Sequence, residues 1–146
     1  MTDDEFFTGL KVARIHAKKA GGLRKAPLPV QIALNVATAQ GVIDNGGLRY
    51  FYEVDFEDQG PYSEFVEAYR GIHAEEVASL LERSIHLFPF ESPHLFEAKR
   101  QRWLDQIRDD EDHEFHQLSD KLIGHKGVEP KLKAYMMVHR SYFDAA

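Results

Sequence analysis

The chain has 146 residues, of which 43% are hydrophobic and 12% aromatic, the size and apolar content of one domain with a sizeable core. It contains no cysteine, which excludes disulfides, thiolate metal sites and cysteine nucleophiles. A net charge of −6 argues against a general nucleic-acid binder, which needs basic surface to displace counterions from phosphates.

The opening Met1-Thr2-Asp3-Asp4-Glu5 is acidic where a secretory signal would be basic and then apolar, so a cytoplasmic protein is expected. Thr2 with Glu5 three residues later forms a capping box. Phe6, Leu10, Ala13 and Ala17 then recur at helical spacing up to Gly21-Gly22, which predicts a helix over about 3–20. Ala26 to Ile43 is the longest uncharged run. Pro27, Pro29, Gln31, Asn35, Gln40 and Gly41 interrupt it, so it reads as a buried helix with its approach and not as a membrane span. Pro29 suits a first helical turn, and the segment to Ala39 is apolar around most of its circumference, as a central helix of a bundle would be.

Asn45-Gly46-Gly47 forces a reversal, because adjacent glycines adopt positive φ at little steric cost. After it, Leu48, Tyr50, Tyr52, Val54 and Phe56 alternate with Arg49, Phe51, Glu53 and Asp55, and Asn-Gly is a strong hairpin signal. Leu48, Phe51, Tyr52 and Asp55 equally fit one helical face. Local pattern alone leans slightly toward a strand over 48–56.

From Gly60-Pro61 onward the periodicity is helical. A short helix over 63–71 is capped by Ser63, with Glu64 and Glu67 in its first turns. Val77, Leu80, Leu81, Ser84, Ile85 and Phe88 mark a helix over 74–88 that ends before Pro89. Ser92-Pro93 opens another through Ile107, with Phe96, Trp103 and Ile107 on one side. Phe115, Leu118, Leu122 and Ile123 define the next, closed near Gly124. Glu129-Pro130 starts the last, with the stripe Leu132, Tyr135, Met136, His139 and Phe143. No repeat, low-complexity segment or long linker divides the chain, so a single domain over 1–146 is expected.

Charge is strongly segregated. Between Glu5 and Asp44 there are six bases (Lys11, Arg14, Lys18, Lys19, Arg24, Lys25) and no acid, which leaves −12 on the remainder. Glu53, Asp55, Glu57, Asp58, Glu64 and Glu67 form one acidic block without a base, and Asp109, Asp110, Glu111, Asp112 and Glu114 form a second. Taken singly, such runs are ordinarily solvated helix ends and loops. Together with Tyr50, Phe51, Tyr52, Phe56 and Tyr62, whose plainer role is core packing, they offer an acidic, aromatic surface suited to a basic protein and unsuited to nucleic acid.

The best internal candidate for chemistry is Asp109, His113, His116 and Asp120, spaced to share one helical stripe and in principle to hold a divalent metal. A stripe opposite Phe115, Leu118 and Leu122 is also simply a solvent face, and no His-Glu-x-x-His pattern occurs. His139 reads as a core or boundary histidine, and His73, His86, His94 and His125 as helix-end residues. No serine has a nucleophile-elbow context and no glycine pattern matches a phosphate loop, so the sequence calls for no cofactor.

Asn45-Gly46-Gly47-Leu48-x-x-Phe51, Phe115-x-x-Leu118-x-Asp120 and Ala134-Tyr135-x-x-x-His139-x-x-x-Phe143 resemble a bacterial domain-of-unknown-function family related to a DNA-mimic protein, over about residues 32–143. The resemblance implies an all-α fold of seven or eight helices, in which Asn45 and the glycines join one helix to the next. It also implies, by analogy, carboxylates presented in place of DNA phosphates to a DNA-binding regulator. Three readings follow. The leading one is a non-enzymatic domain whose acidic blocks engage a basic protein, such as a DNA-binding regulator or a toxin. The others are a metal-dependent enzyme using Asp109, His113, His116 and Asp120, and a self-associating domain in which the basic part of one copy meets the acidic blocks of another.

Overall fold

The computed structural model describes residues 1–56 and 58–145, and among these every regular element is helical. The elements in chain order are α1 (Asp3–Ala20), α2 (Leu28–Glu53), α3 (Ser63–Gly71), α4 (Glu75–His86), α5 (Glu97–Ile107), α6 (Glu114–Leu122) and α7 (Val128–Val138). Single 3-10 turns lie at Leu23–Lys25, Pro93–Leu95 and Arg140–Tyr142. None of these helices is long and apolar enough to cross a membrane.

The capping box of α1 forms as the sequence predicts: Glu5 N–H donates to Thr2 Oγ1 at 3.1 Å and Thr2 N–H to Glu5 Oε2 at 2.8 Å. Gly21 (φ 96°) and Gly22 (φ 136°) end the helix in backbone conformations that side chains disfavour, and swing the chain into α2. On α2, Val30, Ala33, Val36, Ala39 and Ile43 have no exposed surface, which makes it the central element against which α1, α3, α5, α6 and α7 pack. This helix runs past Ala39, because Gln40 and Ile43 continue its buried face while Gly41 stands in solvent.

The hairpin suggested by the alternation of residues 48–56 does not form. A two-residue hairpin turn of the Asn-Gly type needs positive φ at both central residues, and here Gly47 alone has it (φ 72°, ψ −170°). Helix resumes at once after this kink, with Leu48, Phe51 and Tyr52 buried and Tyr50 turned outward, which is period 3.6 and not period 2. Leu48 N–H, which the kink leaves without a helical acceptor, donates to Ser119 Oγ of α6 at 2.9 Å. A Cβ on Gly47 would lie 2.6 Å from that same oxygen, so the glycine permits both the bend and the close approach of α6.

Several helix boundaries are moved by packing. The cap position of α3 is Tyr62, with no side-chain cap bond; Ser63 is already inside the helix. The helix expected from Pro93 breaks into a 3-10 turn and α5, which leaves Phe96 41% exposed and not on the buried side. Ile123 is likewise 43% exposed, beyond the end of α6. The stripe expected on the last helix divides: α7 stops at Val138, and Phe143 reaches the core from the following turn, where its Cβ faces Gly9 of α1.

Two polar networks lie inside the bundle. Tyr69 OH donates to Gln40 Oε1 at 2.8 Å, and Gln40 Nε2 donates to Asp44 Oδ1 and to the Leu122 carbonyl. Asp44 Oδ1 also accepts from Gly124 N–H at 2.7 Å, so one amide joins α2, α3 and the end of α6 with its polar atoms satisfied. Around Tyr52, ring contacts run to Phe51, Tyr62, Phe88 and Phe115, and its hydroxyl meets Ser84 Oγ at 2.5 Å. Thus most of the aromatic cluster noted in the sequence is core; among its members only Tyr50 is largely exposed, at 46%.

Candidate functional site

The first acidic block spans the end of α2, the loop after it and the start of α3. Glu53 closes α2 and pairs with Arg49 one turn earlier at 3.3 Å. Arg49 also reaches Asp105 of α5 at 2.6 Å, and the Arg49 hydrogen bond holds the Asp105 carboxyl below its usual range. Asp55 and Asp58 are exposed in the loop, and Glu57 lies outside the described residues. Glu64 pairs with Arg24 at 3.0 Å, while Glu67 shares Arg70 with Glu75 and Glu82 of α4.

The second block is a turn between two helices. Asp109, Asp110, Glu111 and Asp112 are consecutive and exposed, between Ile107 at the end of α5 and the start of α6. Asp109 meets only its neighbour Arg108, at 3.5 Å with both side chains well exposed. Among the described residues Asp110, Glu111 and Asp112 have no ion pair. Glu114 differs: Arg83 of α4 grips it with a fork, Nε to Oε1 at 2.7 Å and Nη2 to Oε2 at 2.9 Å, which lowers its pKa.

Helix α4 packs against both α3 and α6. Arg70 therefore sits at the seam of α3 with α4, and Arg83 at the seam of α4 with α6, on the route from Glu67 to Glu114. The fold thus sets arginine guanidiniums among the carboxylates of both blocks.

The four residues expected to share one helical stripe are not on one helix. Asp109 lies in the turn before α6, and His113 is the N-cap of that helix, where its Nδ1 accepts Phe115 N–H at 3.0 Å. His116 Nε2–H donates to the Ile107 carbonyl at 2.8 Å. Each imidazole has one nitrogen committed to the backbone, fastening α6 to the preceding turn and to α5. Among the described residues no group of three or more His, Asp or Glu side chains is placed to hold a metal ion. His139 stacks on Tyr135 at 4.4 Å, and His125 Nδ1 accepts Gly127 N–H.

There is also a concavity that the sequence did not single out. A cleft of about 770 Å3 lies among α1, the Leu23–Lys25 turn, α2, the loop after α2 and α3. Arg24 spans its mouth: Nε donates to the Asp58 carbonyl at 2.9 Å and Nη2 to Glu64. Gly60 makes this clasp possible, since any Cβ there would overlap the Arg24 guanidinium and the Glu64 carboxylate. The sequence signals were the Gly21-Gly22 pair and the acid-free interval before Asp44, but the enclosing loop comes from elsewhere in the chain.

A family described as DMP19-like protein matches residues 24–139, four-fifths of the chain. The chain belongs to the DMP19-like family. Its matched span begins eight residues before the start of the region of resemblance read from the sequence and ends four residues before that region's end, and contains α2 to α7 with the Gly47 kink. No curated protein and no solved structure matches the chain significantly.

Proposed function

We propose that this DMP19-like chain is a non-catalytic binding domain that engages a basic protein through the acidic turn 109–112. The observation that carries this reading is the run of adjacent exposed carboxylates in that turn, set against the glutamates of both blocks that arginines hold. Glu53, Glu64, Glu67 and Glu114 are each held by an arginine of the same chain, and the exposed Asp55 and Asp58 are not adjacent in the chain, whereas Asp109 to Asp112 present four consecutive carboxylates to solvent with only Arg108 beside the first of them. Arg108 beside Asp109 offsets their mutual repulsion only in part, so a partner that brings lysine or arginine gains from complementarity and from its further relief. The two flanking helices hold the turn at fixed ends, so little order need be gained on binding.

A duplex mimic demands more. DNA carries one charge per about 1.7 Å of axis, and a surface imitating it needs a dense, uninterrupted negative face. Arg49, Arg70 and Arg83 stand among the carboxylates here, which favours a local contact with a basic segment over imitation of a duplex. A DNA-binding regulator or a toxin remains the natural class of partner, since both commonly expose basic surface.

The test is affinity capture from a lysate of the source cell at low salt, using the full chain and a variant carrying Asp109→Asn, Asp110→Asn, Glu111→Gln and Asp112→Asn. The intact chain is expected to retain a basic protein that the neutralised one does not, and retention should fall steeply as salt shortens the Debye length. Equal retention by both chains, or retention indifferent to salt, would overturn the assignment.

A further inference from the structure

The cleft beneath the Arg24 clasp has the composition of a ligand site distinct from the acidic turn. Its volume of about 770 Å3 lies within the range of small-molecule pockets, roughly 300–1,000 Å3. Leu34 and Phe65 supply an apolar floor, with Ala17 and Phe56 beside them.

Its polar groups are distributed unevenly. Arg14 and Lys18, one turn apart on α1, both line the cleft, and among the described residues neither makes an ion pair or a side-chain hydrogen bond. Facing them, α2 presents Gln31, Asn35 and Thr38 at i, i+4 and i+7. Helices α1 and α2 are joined by a short turn and pack against each other, so that Arg14, Asn35 and Thr38 line the same cleft. The carboxylates Asp58 and Glu64 line the cleft beside the Leu23–Lys25 turn. Glu64 is neutralised by Arg24, and Asp58 stands against Gly22, where a Cβ would be 3.3 Å from its Oδ2.

From this distribution we infer that the cleft binds an anionic amphiphile: a small molecule with a single carboxylate or sulfonate head and an apolar body. Arg14 and Lys18 hold the head, Asn35 and Thr38 offer it uncommitted hydrogen-bonding groups, and the body lies over Leu34 and Phe65. Asp58, also in the cleft lining, repels a second negative charge, which selects a monoanion over a polyanion such as nucleic acid. On a chain of net charge −6 the cleft is a locally cationic place, so binding there owes nothing to the acidic turn.

The test uses anilinonaphthalene sulfonate, an anionic amphiphile whose emission rises in apolar surroundings, added to the folded full chain. One site per chain is expected, emptied by decanoate but about tenfold less effectively by decanol or decyltrimethylammonium. Arg14→Gln with Lys18→Gln should weaken binding by about tenfold or more, and Thr38→Trp, placed at an exposed helical position, should abolish it by filling the cleft. Circular dichroism confirms that each variant is folded, and Arg14→Gln alone serves if the double variant is not. Absence of binding, displacement by decanol as good as by decanoate, or binding that survives Thr38→Trp would each overturn the inference. The neutralised 109–112 variant should bind the dye normally, and the Arg14/Lys18 variant should still capture the basic partner, so the two assignments fail independently.

Discussion

Gly47 and Gly41 lie six positions apart on one helix and do opposite things. Gly47 holds φ at 72° with no room for a side chain against Ser119, whereas Gly41 has ordinary helical backbone and nothing within 4 Å of where its Cβ would be. Gly47→Ala should therefore destabilise the fold by about 1–3 kcal/mol through backbone strain alone, with the Ser119 clash adding to it. Gly41→Ala should stabilise it by about 0.5–1 kcal/mol, chiefly by restricting the unfolded chain. Urea midpoints of the two variants check both signs at once; a loss at Gly41 or a gain at Gly47 would contradict the account of the kink. Similar reasoning applies to Gln40, whose one amide satisfies Tyr69, Asp44 and the Leu122 carbonyl, so that an apolar replacement strands a buried hydroxyl.

Between elements, the exposed ion pairs matter more for where charge is displayed than for how firmly the bundle holds, since such pairs gain little against solvent and salt. The Arg83–Glu114 fork is the clearest case, joining α4 to α6 across 31 positions of chain. The Arg83 hydrogen bond holds the Glu114 pKa below its unfolded value, about 4.3. A depressed carboxylate contributes stability that is present above the unfolded pKa and is lost as pH falls through the folded one. Glu114→Gln should accordingly melt slightly below the parent chain at neutral pH. The difference should close as the solution is acidified below about pH 4, and should shrink in about 1 M salt. Melting curves at several pH values read this directly, and a difference that widens in acid would refute the pairing.

The molecule as a whole couples its core to alkaline pH. Burial pushes the Tyr52 and Tyr69 hydroxyls well above the ordinary tyrosine value, and raises Tyr62 and Tyr135 as well. The unfolded chain ionises these groups near pH 10, so the stability they lend is complete below about pH 10 and is lost as pH climbs toward the folded values. Tyrosinate absorbance is expected to rise in two stages, the later one coinciding with loss of helical circular dichroism. Ionisation of all six tyrosines while the helices remain intact would show that Tyr52 and Tyr69 are not enclosed as described. At the same scale stands the polarity of the surface: a basic interval whose Arg14 and Lys18 line a cleft, and an acidic remainder whose longest run of exposed carboxylates is the turn at 109–112.

The sequence by itself determined those features whose cause lies within a turn or two of chain. The capping box at Thr2 and Glu5, the helix stop at Gly21-Gly22, the helix over 63–71 and the apolar centre of α2 all follow from neighbours, because propensity, capping and periodicity act over a few residues. Nine residues from Leu48 to Phe56 satisfy both period 2 and period 3.6, and contacts with distant residues, such as Ser119 of α6 at Leu48 N–H and Arg100 of α5 at the Tyr52 carbonyl, decide for the helix. The two acidic blocks were plain in the sequence, but which carboxylates remain unpaired was not. Arg24, Arg49 and Arg83 find their partners 40, 56 and 31 positions away. The cleft is of the same kind, its cations on α1 and other parts of its lining contributed by the loop after α2 and by α3. Local pattern specifies the elements; packing of residues distant in the chain decides where charge is cancelled, where it is displayed and where space is left.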